Sequence, residues 1–420
     1  MNTNEKIILS ITGLSHLAVH VIMLIFPALF IVLQSEFDLG MDQLGLMASI
    51  SAFMFGVGAI PAGYFESKYG GRSLLLIYLF GTGLFSLCMF WVNSIFMLYV
   101  FLGFIGLLSS IYHPAGLTLI SRRVKHLSKG MAYHGIAGSV GLAIGPLFAS
   151  IISESFFWQM PYMVMGILNT MLGLLVLIKI PISKSNPIDE NLDEHPGTNK
   201  KGLLYYYGFS MTMGFVFGGF ATFMPTHFSQ HTQELLPFLS PVIKGGLFTS
   251  LVFTVGALGQ IIGGHAGSRF PKPTILMWVA ILNIPVLFLM GLTTGYTLIF
   301  VSLFLGIIYF VSQPIGNALV ADLTHHGHRG LGYGISFFLS FGIGGVSAAF
   351  GGWLAETINI SSVFIVMGFA LFPAVYFTIK LSKKVNLVST LPYNLGFNFK
   401  CEYFCPVSSF ISRLTSVLKE

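Results

Sequence analysis

The sequence predicts an all-α membrane protein in which twelve transmembrane helices form two pseudo-symmetric six-helix bundles. Composition, the length of the apolar runs and an internal repeat support this prediction. Hydrophobic residues make up 54% of the 420-residue chain and charged residues only 9%, with a mean hydropathy of +0.81. A soluble protein carries about a quarter charged residues. This chain cannot cover a water-exposed surface, so its solvent is lipid.

Twelve apolar runs predict membrane spans, each of which needs about 20 apolar residues. They cover residues 7–33, 44–65, 73–92, 95–120, 130–152, 158–180, 203–228, 246–266, 273–291, 296–321, 330–354 and 360–380. The connection Pro181–Gly202 is rich in charge and proline, which predicts a solvated linker. We therefore expect a first bundle at 1–180, a linker at 181–202, a second bundle at 203–380 and a tail at 381–420.

A set of glycines, a proline and a tyrosine occurs twice, at residue numbers that differ by 200 (306 − 106). The first copy is Gly106, Pro114, Gly116, Leu119, Gly130 and Tyr133, and the second is Gly306, Pro314, Gly316, Leu319, Gly330 and Tyr333; Gly45 and Gly56 likewise match Gly245 and Gly256. Apolar helices tolerate Gly and Pro where backbones approach closely or a helix bends. The repeat therefore predicts two similar bundles, an arrangement typical of transporters that bind substrate between their halves.

Lysine and arginine cluster in the even-numbered connections, whereas acids such as Glu36, Asp38 and Glu154 occupy the odd-numbered ones. Of the 21 Lys and Arg residues, only Lys244 falls on the acidic side. The positive-inside rule therefore places both termini in the cytoplasm, and we expect a bacterial inner membrane. The net charge of +6 does not indicate nucleic-acid binding, because the basic residues lie in short loops and form no stripe.

The loop after the second span reads Gly63-Tyr-Phe-Glu66-Ser-Lys68-Tyr-Gly70-Gly-Arg72. Together with the spans, the linker and the repeat, it resembles the major facilitator superfamily, in which this loop locks the two halves on the cytoplasmic side. The usual Asp position holds Ser67, with Glu66 beside it, and the second copy also lacks the acid. The resemblance implies a conformational latch made of Gly63, Glu66, Lys68, Gly70, Arg72 and Arg269.

The fifth span contains Gly141-x-x-x-Gly145-Pro146, which resembles the antiporter signature of the superfamily. Its closing glycine pair is replaced by Phe148 and Ala149, and the alternative interpretation is a kinked, tightly packed helix. An ordered set of further residues is similar to the fosmidomycin-resistance branch of efflux proteins, in which the position of His20 is usually acidic. The set is Ser15-His16, Phe26-Pro27, Glu36-Phe37-Asp38-Leu39, Gln43-Leu44-Gly45-Leu46, Ala62-Gly63-Tyr64 and Tyr112-His113-Pro114.

Histidine is the candidate for chemistry inside the membrane, because the predicted spans hold no Asp, Glu, Lys or Arg near the bilayer centre. His16 and His20 are four residues apart and share one helix face. His113 lies in the fourth span, followed by Pro114, which should bend that helix. The resemblance implies that spans one, four, seven and ten line the cavity, where Gln313 is the repeat partner of His113 and Asn317 lies one turn further on.

Three roles for His16, His20 and His113 stay open at this point. They can carry protons, because histidine changes charge near neutral pH, they can bind substrate, or they can simply pack. His227 and His231 predict a solvated gate loop, with a metal site as the alternative. His134 is expected at a cytoplasmic helix end, where interfacial solvation suffices.

We therefore predict a secondary active transporter, a proton-coupled exporter of a small organic molecule that works by alternating access. The alternatives are an importer of a metal or metal chelate and, from other classes, a non-transporting membrane sensor or an enzyme. The expected partners are a small-molecule substrate, protons and the lipid bilayer, and the chain is expected to be a monomer. We expect no cofactor and no metal, since Cys88, Cys401 and Cys405 lack the spacing of a ligand cluster.

Cysteine labelling tests the topology. A cysteine at Ser185, in the linker, should react with an impermeant maleimide only after the membrane is permeabilised. A cysteine at Gln233, in an odd-numbered connection, should react in intact cells. The reverse labelling pattern would contradict this topology.

Overall fold

Apolar helices make up nearly all of the computed structural model, which describes residues 1–125, 127–181, 197–325 and 329–385. Within these ranges there is no β-strand, so the all-α prediction is confirmed. Most of the linker, 182–196, and most of the tail, 386–420, lie outside the described residues, and the division into 1–180, 181–202, 203–380 and 381–420 stays a prediction.

The described residues form sixteen α-helices. They are α1 Thr3–Ala28, α2 Phe30–Phe37, α3 Met41–Cys88, α4 Ile95–Ser109, α5 Tyr112–Arg123, α6 Leu127–Ser155, α7 Met160–Lys179, α8 Lys200–His231, α9 Pro241–Gly267, α10 Lys272–Leu292, α11 Gly295–Phe310, α12 Ser312–Leu323, α13 Arg329–Phe337, α14 Ser347–Thr357, α15 Ile360–Phe369 and α16 Phe372–Val385. A π-helical segment, Phe338–Ile343, and a 3₁₀ turn, Gly344–Val346, join α13 to α14.

Eleven segments of the described chain are long and apolar enough to cross a membrane. They coincide with eleven of the twelve predicted spans. The exception is α8, which has 32 residues but whose Gly, Tyr, Ser and Thr residues lower its hydropathy. The number twelve therefore stays a prediction.

Proline interrupts the fourth and tenth spans at equivalent places. The helix breaks between α4 and α5 just before Pro114, and between α11 and α12 just before Pro314. A proline has no N–H to donate to the carbonyl four residues earlier, which here belongs to Ser110 or Phe310. The bend at Pro114 stays a prediction, and the repeat places an equivalent interruption of the helix in the other half.

Equivalent glycines make equivalent contacts in the two halves. A Cβ on Gly106 would overlap the carbonyl oxygen of Ser51, and a Cβ on Gly306 would overlap that of Val252. Only glycine lets the two backbones approach so closely in each half. The repeat therefore reflects a shared packing geometry.

Helices α3 and α14 pack closely where the first half meets the second. A Cβ on Gly45 would overlap the carbonyl oxygen of Ala348. The Ser49 hydroxyl donates to the Gly345 carbonyl over 2.8 Å, and the Met41 amide donates to the Glu356 carboxylate over 2.7 Å. The halves are thus closed against each other at the end that holds the acidic connections.

Helices α6 and α9 form the second contact between the halves. The Leu147 amide donates to the Ser250 hydroxyl over 3.0 Å, and Ser240 donates to Glu154 at the same closed end. Toward the opposite end, the side chains of Gln313 and Asn317 are exposed. A polar side chain exposed within a membrane span faces water rather than lipid, so the structure opens toward the end that holds the basic loops.

We expect Gly45→Val to hold the closed end apart, because its Cβ would overlap the Ala348 carbonyl. A cysteine at Ser49, which is 5% exposed, should then react with an impermeant maleimide added from outside. Gly264→Val is the matched control, since a Cβ there meets nothing within 4 Å. Continued protection of the cysteine in the Gly45→Val background would contradict this closure.

Candidate functional site

Four histidines from three helices form one cluster inside the first half. Helix α1 brings His16 and His20, α5 brings His113 and α6 brings His134. The ring centroid of His16 lies 3.9 Å from that of His134, 4.8 Å from that of His20 and 5.2 Å from that of His113. His20 is partly exposed, whereas His16, His113 and His134 are buried.

A glycine stripe on α6 brings this helix against α1. A Cβ on Gly138 would overlap the His16 ring, and one on Gly141 would lie 2.5 Å from the Leu17 carbonyl oxygen. Gly145 continues the stripe, where a Cβ would lie 3.2 Å from the Cα of Val21. The spacing of three to four residues puts these glycines on one helix face. Gly141, Gly145 and Pro146 therefore lie in a tightly packed helix, and the two glycines make its close contacts with α1.

Hydrogen bonds fix which nitrogen carries the proton in neutral His16, His20 and His134. A carbonyl oxygen only accepts, so the 2.7 Å contact between His16 Nδ1 and the His134 carbonyl oxygen places a hydrogen on Nδ1. In neutral His16 the Nε2 atom then has the lone pair, which accepts from His20 Nε2 over 3.1 Å. His20 is thereby left with its lone pair on Nδ1.

Tyr112 fixes the tautomer of His134, the histidine that α6 contributes. Its hydroxyl donates to the Thr12 carbonyl over 2.5 Å, so its oxygen accepts from His134 Nδ1 over 3.2 Å. His134 Nε2 therefore has the free lone pair. All three N–H groups of neutral His16, His20 and His134 are satisfied, as burial requires.

The structure brings His16, His20 and His113 together, but the prediction for His134 was wrong. His134 is 5% exposed and does not lie at a solvated helix end. It precedes Gly138 by one turn, so the glycine stripe of α6 was the sequence signal that places it against α1.

Aromatic and amide side chains connect the cluster to the second half. His113 stacks on Phe337 of α13, with ring centroids 5.0 Å apart. Ser139, beside Gly138, donates to Gln260 over 2.8 Å, and Gln260 donates to Gln313 over 2.8 Å. No sequence motif singled out Ser139 and Gln260, which join Gln313 to the helix that holds His134.

Asn317 lies one turn beyond Gln313, as the sequence predicted. Its side chain is exposed, and its backbone carbonyl accepts from the Tyr333 hydroxyl over 3.0 Å. Asn317 and Gln313 therefore offer amide groups to the open side of the structure.

The latch residues bond within the first half in this conformation. Gly70 has φ 77° and ψ 154°, a conformation that is nearly exclusive to glycine. Arg72 donates to the carbonyls of Ile180 and Leu177 over 2.6 and 3.3 Å. Glu66 pairs with Arg122 at 3.4 Å.

The remaining latch residues lie at the open end. A Cβ on Gly63 would lie 4.0 Å from the Gly330 carbonyl oxygen of the second half. Lys68 lies over the ring of Tyr69, and the Arg269 side chain is exposed. The two halves are therefore near each other at Gly63 without close contact.

The predicted solvated gate loop at His227 and His231 is not observed. His227 is fully buried and donates from Nε2 to the Met290 carbonyl over 2.9 Å. Its ring centroid lies 4.3 Å from that of His231, which makes a 3.2 Å hydrogen bond to Ser361. The pair is part of the packing between α8, α10 and α15.

The histidine cluster also has the spacing of a metal site. His16, His113 and His134 each offer one nitrogen, and these three atoms lie within 4.8 Å of one another. However, His16 already uses both nitrogens, one toward the His134 carbonyl and one toward His20. No carboxylate or thiolate joins the group among the described residues. We therefore interpret it as a hydrogen-bonded cluster.

Buried ionisable residues inside membrane-spanning helices are typical of functional sites such as those of transporters. The family model of the major facilitator superfamily matches residues 9–245 and 209–392. The chain belongs to this superfamily. It is a multi-pass integral membrane protein and a transporter rather than an enzyme.

Relatives and solved structures agree with this assignment. The fosmidomycin resistance protein of Escherichia coli (strain K12) is 25% identical over 386 residues, which cover 86% of this chain and 89% of that protein. A Na⁺, Li⁺, K⁺/H⁺ antiporter of Planococcus maritimus is 25% identical over 43% of this chain and 44% of its own.

The fold is similar to that of a bacterial homologue of the human lysosomal transporter Spinster, solved in an inward-facing and unoccupied conformation. The TM-score is 0.76 at 13% identity, over 91% of this chain and 98% of that one. The predicted major facilitator fold is confirmed, as is the resemblance to the fosmidomycin-resistance branch.

Gly138→Ala tests whether the glycine stripe positions His16. The new Cβ would overlap the His16 ring, and overpacking of this kind costs about 1–3 kcal/mol. We expect a lower unfolding midpoint in mixed micelles. Gly135→Ala on the same helix meets nothing within 4 Å and should stabilise the protein by up to about 1 kcal/mol. Equal midpoints for the two variants would argue against this contact.

Proposed function

We propose that this transporter exports a small organic molecule in exchange for protons, by alternating access between the bundles 1–180 and 203–380. The observation that carries the proposal is the N–H···N hydrogen bond between His20 and His16, inside the membrane span α1. The names of the two relatives support it, since one confers resistance to an organic compound and the other exchanges cations for protons.

The histidine pair is suited to hold one extra proton. When His20 or His16 is charged, the two Nε2 atoms share a charge-assisted hydrogen bond. A second proton would place two positive charges within about 5 Å in a low-dielectric setting, which is strongly unfavourable. The pair therefore takes up and releases protons one at a time.

The membrane potential can drive this step. Moving one elementary charge across the membrane yields about 2.3 kcal/mol per 100 mV. That amount is enough to bias an equilibrium between two conformations that differ by a few kcal/mol. A proton bound by His20 and His16 is then the charge that couples the potential to the cycle.

Alternating access follows from the two contacts between the halves. The structure is closed at Gly45 and Gly352, on the side with acidic connections, and exposes Gln313 and Asn317 on the other. With the proposed topology, this conformation faces the cytoplasm, where an exporter loads its substrate. In the opposite conformation we propose that the latch of Gly63, Glu66, Lys68, Gly70, Arg72 and Arg269 closes the cytoplasmic side.

Import of a metal or metal chelate remains the alternative. Metal import differs from organic-molecule export in the direction of transport and in the substrate, and one assay measures both of these properties. Inside-out and right-side-out vesicles with an imposed pH gradient are screened against a panel of fosmidomycin, other organic compounds and divalent metal ions. Accumulation of a metal in the direction of import would overturn the proposal.

Substitution by glutamine tests the coupling residues. Glutamine keeps much of the size and hydrogen bonding of histidine but cannot titrate near neutral pH. We expect His16→Gln or His113→Gln to abolish transport driven by a pH gradient while leaving substrate binding or downhill exchange measurable. His20→Gln should lose proton dependence in the same assay. If the triple variant still accumulates substrate under a pH gradient alone, Glu36 or Asp38 becomes the candidate.

Arg72→Ala tests the latch. Arg72 reaches the carbonyls of Ile180 and Leu177 in this conformation and must exchange partners if the cytoplasmic side closes. We expect slower transport at near-normal membrane amounts. Lys383→Ala, in the last turn of α16, is the control for loss of a cytoplasmic charge. Unchanged rates in Arg72→Ala would show that the loop does not act as a latch.

A further inference from the structure

The histidine cluster leaves lone pairs, rather than N–H groups, unused on the rings whose tautomers are fixed. The N–H groups of His16, His20 and His134 are donated within the cluster or to Tyr112. The atoms left over are His20 Nδ1 and His134 Nε2, and both are acceptors. His134 is 5% exposed, so His20, which is partly exposed, is the ring that can present its acceptor to a ligand.

The orientation of the His20 ring is fixed by its hydrogen bond to His16. Its Nε2–H bonds to His16, which in turn bonds to the His134 carbonyl on α6. Turning the His20 ring over would break the first of these bonds and leave His16 Nε2 without its donor. In the neutral state, therefore, Nδ1 is held on the side of the ring that faces away from His16.

The surroundings of His20 contain no fixed charge among the described residues. The titratable groups that face it are His16 on its own helix and His113 on α5, with Tyr112 and His134 of α6 behind them. Phe55 of α3 and Phe337 of α13 complete the surroundings through His113. The charged residues of α1, α5 and α6 whose side chains the structure describes lie toward the helix ends: Glu5, Lys6, Arg122, Arg123 and Glu154. Those of α3 lie at its first turn, Asp42, and around the interruption at Gly70: Glu66, Lys68 and Arg72.

We infer that the Nδ1 lone pair of His20 accepts either an N–H or O–H group of the substrate or a proton, and that the substrate is therefore a neutral or cationic molecule bearing such a donor. A protonated Nδ1 carries a hydrogen and cannot accept, so the two ligands exclude each other at one atom. The proton that the substrate displaces passes to water, which the partly exposed His20 ring can contact. An anion that lacks an N–H or O–H donor cannot form a hydrogen bond with this lone pair, so the neutral site would not bind it.

This inference rests on the proposed function and deepens it, since competition at a single atom is what an obligatory exchange requires. Substrate binding from the cytoplasm demands that His20 be neutral. Protonation of His20 removes the acceptor and releases the substrate on the other side. His113, which lies beside His20, contacts Phe55 and Phe337, so the probes used below carry an apolar aromatic body.

A matched set of probes tests the chemical class with the purified full-length protein. Phenethylamine and phenethyl alcohol carry donors, with and without charge. Phenethyltrimethylammonium and methyl phenethyl ether lack donors, and 3-phenylpropanoate is an anion. Binding is measured by calorimetry on both sides of the titration range of histidine. We expect the donor-bearing probes to bind, and to weaken by about tenfold for each pH unit on the acid side, in proportion to the neutral fraction.

Two variants of His20 separate recognition from proton binding. In His20→Gln the amide can donate to His16 and present its oxygen as an acceptor, so binding should persist but lose its pH dependence. His20→Phe removes the acceptor and should abolish binding. His325→Gln, at an exposed histidine outside the cluster, should behave as the wild type. Proton release on binding, followed with a pH indicator in weak buffer, should occur in the wild type and be lost in His20→Gln.

Each outcome is decisive. Binding of the donor-free or anionic probes in preference, or no binding of a donor-bearing probe, overturns the inference. If binding depends on pH but His20→Gln retains that dependence, proton exchange stands and the role of His20 falls. If binding needs the His20 acceptor but is independent of pH, the substrate contact stands and proton coupling falls.

Discussion

Close contact between helix backbones at glycine is the interaction on which this structure depends. Lipid tails are as apolar as leucine side chains, so helices in a membrane gain little by burying apolar surface and are held by close packing and hydrogen bonds. Gly138, Gly141 and Gly145 bring α6 onto α1, and Gly45 and Gly56 bring α3 onto the second half. The short approach of α6 also places the His134 carbonyl within 2.7 Å of His16.

The histidine cluster shows how polar groups are accommodated in such a setting. A buried N–H group costs free energy unless it is paired, and the cluster pairs the N–H groups of His16, His20 and His134 with one another, with a carbonyl or with Tyr112. The neutral state is therefore well satisfied. A charged state needs water or a counter-charge, so the proton affinity of the cluster depends on which side of the membrane admits water.

The two halves share a backbone geometry but differ in chemistry. Gly106 and Gly306 make the same contact, whereas His113 corresponds to Gln313 and His134 to Gly334. At these two repeat positions the titratable residues therefore lie in the first half, whereas the second half contributes an amide, a glycine and, beside His113, the aromatic face of Phe337. The stack of Phe337 on His113 and the chain from Ser139 through Gln260 to Gln313 connect the histidine cluster and its helices to the second half.

The sequence by itself determined the fold class and most of the cluster. Hydropathy predicts which segments lie in lipid, and spaced glycines and prolines predict where helices pack closely or bend. Both predictions depend only on residues close together in the sequence. Helix spacing likewise put His16 and His20 on one face. The tertiary structure alone decided that Gln260 bridges Ser139 and Gln313 and that His227 packs against Met290. These contacts join residues 53 to 121 positions apart, and their register depends on how α6, α8, α9, α10 and α12 lie in space. No pattern within one helix carries that information.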